Sequence, residues 1–196
     1  MKTFVFDADG VICVGESFGI ALEREHQIPR ERLAPFFTGP FLECVLGRRD
    51  LKEVIASHAG EWGWRKSVED LLAFWFRSED VISLAAVECV RSLRQKGHVC
   101  VLGTNQEKYR TSYLRSEMGL AEEFDRIFAS CELGKAKPSA AFFSAIQERL
   151  EVPTDSLCLV DDSEMNVAAA KAAGWRGVWY RGLNDLAAIE ELASRV

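Results

Sequence analysis

No apolar run in this sequence is long enough to cross a bilayer, which takes about 18 or more consecutive apolar residues. At the N-terminus, Asp7 and Asp9 interrupt the stretch MKTFVFDADGVIC, so a secretory signal peptide is not expected. A basic excess is also missing. Lys plus Arg number 24 against 30 for Asp plus Glu, a formal net charge of −6, whereas a nucleic-acid surface needs the opposite balance. Neither a nucleic acid nor a membrane is therefore expected as a partner. Six cysteines are present (Cys13, Cys44, Cys89, Cys100, Cys131 and Cys158), but none pairs at the CxxC spacing of zinc or redox sites. Cys13, Cys100 and Cys158 fall inside apolar, strand-like runs, where a thiol serves as a small core hydrophobe. Reduced thiols in a cytoplasmic protein are the expectation. Long blocks of one charge, repeats and low-complexity tracts are missing too, which excludes disorder as the main state.

What remains is ordinary globular composition, 48% hydrophobic and 28% charged over 196 residues. That suits one compact domain, or one domain carrying an insertion. Short β-rich runs alternate with helical patterns. The runs are Thr3 to Phe6, His98 to Leu102, Arg126 to Ala129, Ser156 to Val160 and Gly177 to Tyr180. Between them the periodicity predicts helices over Ala85 to Lys96, Lys108 to Met118, Pro138 to Leu150 and Ser163 to Ala173. Three of these stop at Gly97, Gly119 and Gly174. Continuous apolar strands linked by helical crossovers predict a doubly wound α/β fold built on a parallel sheet.

One segment breaks the rhythm. From 14 to 82 no convincing strand occurs, only helix-like stretches punctuated by proline and glycine. A crossover needs about a dozen residues. An insertion of roughly 70 is therefore read as a small helical domain, with the core formed by 1–13 and 83–196. The insertion is rich in aromatics. Consecutive Phe74, Trp75 and Phe76 cannot share one helix face, so at least one should leave the insertion's own core.

Ligands of open parallel sheets bind at the carboxyl ends of the strands. The first strand delivers Asp7 and Asp9 there, the second Thr104 and Asn105, the fourth Asp161 and Asp162. Lys135 and Lys137 lie in the loop before Pro138. Taken singly, each of these is an ordinary helix cap or turn residue. Gathered together, three or more carboxylates either raise their pKa values or require a cation. The set reads as a metal-dependent site for an anionic ligand.

These residues resemble the haloacid dehalogenase superfamily. FVFDADGVI is similar to its first motif, an apolar run followed by DxD-G, and VLGTN to its second, an apolar run ending in Thr or Ser. Lys137-Pro138 looks like its lysine-proline, and LVDDSEMNVAAAKAAGW like its paired acids before a small-residue helix. The resemblance implies a Rossmann-like core with a helical cap and a Mg²⁺-dependent phosphatase acting on a small phosphorylated metabolite. By the same resemblance, Asp7 would be the nucleophile and Asp9 the general acid and base. Thr104, Asn105 and Lys137 would bind the phosphate, with Lys137 favoured over Lys135 because it precedes proline. Mg²⁺ would be held by Asp7, Asp9 through its carbonyl, and Asp162, with Asp161 behind them. Asn166 would support that loop. A sugar-phosphate mutase of the same chemistry, or a non-catalytic module retaining the fold, are the alternatives.

Overall fold

The computed structural model describes residues 1–194; positions 195 and 196, the end of the predicted core segment, lie outside the described residues. Five strands form one parallel sheet: β1 (Thr3–Phe6), β2 (Val99–Thr104), β3 (Arg126–Ala129), β4 (Leu157–Asp161) and β5 (Arg176–Trp179). Their order is β3-β2-β1-β4-β5. Every run singled out in the sequence became a strand, displaced by at most two residues. The pleat divides their side chains between two cores. Phe4, Phe6, Cys100, Leu102, Cys158 and Val160 point to one face, and Val5, Val101, Leu157 and Leu159 to the other.

After β1 the chain forms six helices: α1 (Phe18–His26), α2 (Ala34–Phe37), α3 (Pro40–Val45), α4 (Leu51–Ala56), α5 (Ala59–Trp62) and α6 (Val68–Ser78). Their apolar residues make a third core of their own, in which the Phe18 and Trp75 rings stack 4.6 Å apart. Local chemistry starts these helices. Asp50 caps α4, and Ser67 with Asp70 forms a capping box on α6. The two chain crossings into and out of this segment run side by side. Val14 N–H donates to Val81 O at 2.7 Å, and Ser83 N–H to Ile12 O at 2.8 Å.

The remaining helices cover the sheet. Leading into β2 is α7 (Leu84–Gln95), followed after that strand by α8 (Lys108–Ser116) and α9 (Leu120–Glu123). Then come α10 (Ser130–Leu133), α11 (Ala140–Leu150), α12 (Glu164–Ala172) and α13 (Leu186–Ser194). Helices α7, α8 and α13 bury Val90, Leu114 and Ile189 against one sheet face, while α11 and α12 bury Phe142, Ile146 and Val167 against the other.

Two helix boundaries lie two residues from where the periodicity puts them, and the others within one. Helix α11 begins at Ala140, because Ser139 rather than Pro138 supplies the cap by accepting from Ala141 N–H. Helix α8 ends at Ser116, ahead of Met118. Cys13 is not in a strand either; it forms isolated bridges with Asp9 and Ile82, because the chain turns at Ala8, whose carbonyl accepts from Ile12 and Cys13 N–H. All six cysteines are free thiols, five of them buried. Among the described residues no helix is long and apolar enough to cross a membrane.

Of the three consecutive aromatics, Phe76 is the one turned outward from the helical segment. Its ring lies 5.4 Å from Tyr113 and 5.7 Å from the Arg110 guanidinium, both on α8. A second contact between segment and core is made at Gly47. Its φ of +70° and the Cys131 carbonyl, 2.2 Å from where a Cβ would stand, leave room only for glycine.

Candidate functional site

Strand register brings the polar residues level. Phe6 pairs with Leu102 and with Val160, so the next positions along each strand, Asp7, Gly103 and Asp161, end at one height. Asp7 N–H still donates to Val160 O at 2.9 Å, which anchors the turn that carries this residue to β4. Thr104, the last residue of β2, is 1% exposed beside it.

Lys137 joins these strand ends. Its Nζ lies 2.9 Å from Asp7 Oδ2 and 2.7 Å from Asp161 Oδ2, and its side chain is 1% exposed. Asn105 holds the lysine's backbone from both sides: Lys137 N–H donates to Oδ1 at 2.8 Å and Nδ2 donates to Lys137 O at 2.9 Å. Both ends of the Asn105 amide are thereby engaged. What Asn105 can offer the expected phosphate is therefore its main-chain N–H. Lys135 is exposed and has no part in this cluster. The peptide joining Lys137 to Pro138 is cis.

The paired acids at the end of β4 separate by the strand's alternation. Asp161 is fully buried and its oxygens are saturated by Lys137 Nζ, Ser163 N–H and Asn166 Nδ2, the latter two at 2.9 Å. Asp162 instead stands exposed beside Gly10. With φ +77°, Gly10 is left-handed, and a Cβ there would come within 2.2 Å of Asp162 Oδ2. Only a glycine leaves that space open. Carboxylate oxygens of Asp7, Asp161 and Asp162 all lie within 4.8 Å of one another.

The Asp161 side chain is fully buried, whereas that of Asp7 keeps 13% exposure and Asp162 is exposed, so these last two are the carboxylates a cation can reach. An all-oxygen donor set beside an open space fits a hard divalent ion such as Mg²⁺, which keeps several waters. A cleft of about 620 Å³ lined by Gly10, Val14, Ser83, Asp162 and Trp179 joins this place to solvent. The donor set fits the cation that the sequence motifs imply.

Electrostatics follow from the count of charges. Two buried carboxylates share one ammonium, which leaves an excess negative charge among poorly solvated groups. Burial pushes Asp7 up, to about 7, against the pull of Lys137. Burial alone would lower Lys137, but Asp7 and Asp161 more than offset it, so its pKa is raised. Asp162 is raised by burial and by Asp161.

Asp9 stands at the mouth, in the cleft between the sheet and the helical segment. Its side chain is 53% exposed, yet protein on both sides displaces bulk water. That desolvation, helped by the Glu79 carboxylate, raises it to about 6, while Arg110 and Gln106 act in the opposite sense. Gln106 Nε2 donates to Asp9 Oδ2 at 2.5 Å, and Arg110 Nη2 is 3.9 Å from Oδ1. An aromatic hollow of about 530 Å³, lined by Phe18, Leu33, Phe37 and Trp75, reaches this region through Glu79.

Sequence reading missed Gln106, Arg110 and Glu79. The first two were within reach, since they lie two and six residues past Thr104, in the turn into α8 and in that helix's first turn. Glu79, just past the end of α6, carries no local signal.

Residues 1–174 match the family model described as haloacid dehalogenase-like hydrolase. The chain belongs to that family. It spans 59% or less of the length of the curated relatives it matches. Among solved structures, an HAD-like family hydrolase from Porphyromonas gingivalis superposes with a TM-score of 0.80 at 24% identity, covering 100% of this chain and 99% of that one. An HAD family enzyme from Bacteroides thetaiotaomicron, in complex with magnesium and inorganic phosphate, gives 0.77 at 20% identity, covering 91% and 93%. The L-2-haloacid dehalogenase from Xanthobacter autotrophicus gives 0.69 at 21% identity, covering 100% and 84%. At these identities the likeness is one of fold.

Proposed function

We propose that this haloacid dehalogenase-like hydrolase is a Mg²⁺-dependent phosphomonoesterase for a small phosphorylated metabolite. The observation that carries this reading is Asp9, whose carboxyl group stands at the mouth two residues after Asp7. A leaving alkoxide needs a proton, whereas a leaving halide does not, so an acid in that position favours phosphate ester over haloacid chemistry.

In the proposed reaction an Asp7 oxygen attacks phosphorus in line. The bond from phosphorus to the ester oxygen breaks, and that oxygen takes the proton of Asp9. Water then attacks the aspartyl phosphate, gives its proton to Asp9, and releases inorganic phosphate with Asp7 restored. Lys137 neutralises Asp7 and the incoming anion, and the Thr104 hydroxyl donates to a phosphoryl oxygen. Asp7, the Asp9 carbonyl and Asp162 would hold Mg²⁺, which when bound neutralises phosphate charge and orients it for in-line displacement. The helical segment, 14–82, would act as a cap that excludes water over the core 1–13 and 83–196. Six free cysteines support a reducing, cytoplasmic setting.

The test is phosphate release from p-nitrophenyl phosphate and a panel of phosphorylated metabolites. Mg²⁺-dependent turnover that EDTA abolishes and Asp7→Asn removes is expected. Full activity in the Asp7→Asn protein would end the proposal, and isomer formation without net phosphate release would replace it with a mutase.

A further inference from the structure

A carboxyl group at the mouth of a cleft, half exposed, is free to turn about two side-chain torsions unless something holds it. Proton transfer tolerates little of that freedom, because the donor must lie within hydrogen-bond reach of the departing oxygen. Asp9 is faced at both oxygens by residues that follow β2 closely, one in the turn into α8 and one in the first turn of that helix. Gln106, 6% exposed, donates its amide to Oδ2 at 2.5 Å. On the other side Arg110, whose side chain is 3% exposed, faces Oδ1 at 3.9 Å, an electrostatic contact rather than a hydrogen bond.

Both holders are themselves fastened to the helical segment. Gln106 N–H donates to Ser130 Oγ at 3.0 Å, and the Ser130 hydroxyl donates onward to Val45 O at 2.7 Å, at the end of α3. The Arg110 guanidinium donates to Phe76 O at 3.1 Å and Glu79 O at 3.4 Å, where α6 leaves the segment. Its Nε is buried without a partner, so this arginine is kept in place at a cost in unmet hydrogen bonding.

We infer that Gln106 is the positioning residue for proton transfer from Asp9 to the leaving oxygen, with Arg110 as the second support tying that position to the seating of the helical segment. This rests on the phosphomonoesterase reading. Neither residue touches phosphate; each acts through Asp9.

The experiment compares kcat/KM on p-nitrophenyl phosphate, whose leaving group departs without help, with kcat/KM on phenyl and alkyl phosphates, whose leaving groups need the proton. kcat/KM is the right quantity because it covers only the steps up to release of the alcohol. Gln106→Met, which keeps the volume and removes the donor, is expected to lower kcat/KM on the poor leaving groups by about 10- to 100-fold. On p-nitrophenyl phosphate the fall should be under about threefold, part of the 10²–10⁴ that positioned proton transfer supplies. In an Asp9→Asn background the same change should add nothing further. Where a thermal melt finds Gln106→Met unfolded, Gln106→Asn replaces it, since its amide stops one methylene short. An equal fall on every substrate would overturn the inference while leaving the phosphatase reading intact. A wild-type protein that hydrolyses no phosphate ester overturns both.

Discussion

The ammonium of Lys137 stands 2.9 Å from the Asp7 carboxylate, on a side chain only 1% exposed. The same Nζ also meets Asp161, at 2.7 Å. One cation thus serves two carboxylates that arrive on neighbouring strands, β1 and β4. With positive charge in short supply here, a divalent ion bound beside these carboxylates would stabilise the fold.

Removing that ammonium leaves two buried carboxylates facing each other. Lys137→Met is expected to destabilise the fold by about 3–5 kcal/mol, the usual result of breaking a buried pair on one side. Urea titrations at two pH values check it. The loss should be greatest at pH 8 and smaller at pH 5, where Asp7, already raised to about 7, takes up a proton.

Metal binding should be linked to pH in a defined direction. Asp7 has its folded pKa raised to about 7 from an ordinary 3.8, so the metal-free fold binds more protons than the unfolded chain between those values. Its stability contribution from this group therefore falls as pH rises from about 4 through 7. A cation needs the carboxylate and displaces that proton. Mg²⁺ should raise the melting temperature more at pH 8 than at pH 5, with proton release measurable by calorimetry; an equal rise at both would contradict it.

Gly10→Ala probes the open space directly. The left-handed backbone and the approach of a Cβ to within 2.2 Å of Asp162 Oδ2 both oppose it. A loss of about 1–3 kcal/mol is expected from the strained backbone, together with Mg²⁺ affinity weakened by about tenfold or more in a calorimetric titration. Preserved affinity would mean that Asp162 does not need that position.

Asp50 reports on the junction between segment and core, away from the acidic cluster. It caps α4 and accepts from Tyr109 Oη on α8 at 2.9 Å, with Lys108 Nζ at 2.5 Å. Lys108, then Tyr109 and the Lys52 and Glu53 N–H groups hold its pKa down to about 2. A depressed carboxylate stabilises above its unfolded pKa, near 4, and the benefit fades as pH falls toward 2. Asp50→Ala should cost about 1–2 kcal/mol at pH 7, the size of a lost cap, with a smaller difference at pH 3. A constant difference across that range would exclude the linkage.

The fold was legible for reasons that can be named. Apolar runs such as Thr3 to Phe6 and Leu157 to Val160 are buried on both faces, and only helical crossovers can join parallel strands of that kind. Ser67, Ser83 and Ser163 mark helix starts through hydrogen bonds made within a few residues. Helix α11 was misplaced by two residues because Pro138 and Ser139 both read as openers, and the capping hydrogen bond decides between them. For the site, the acids and Thr104 were visible because each ends a strand or follows one within three residues. Asn105 was named beside them, but that its side-chain amide would hold the Lys137 backbone, distant in sequence, had no local signal.

By itself the sequence determined the layered architecture and which polar residues stand on the sheet's carboxyl rim, since period-two burial, caps and strand ends are properties of neighbouring residues. The motifs already favoured Lys137 over Lys135 and set Asp162 ahead of Asp161; tertiary structure alone decided that one ammonium meets Asp7 and Asp161 together, and that Gln106, Arg110 and Glu79 gather around Asp9. Those outcomes depend on where distant segments cross and on which side chain is long enough to bridge them, and no local pattern records either.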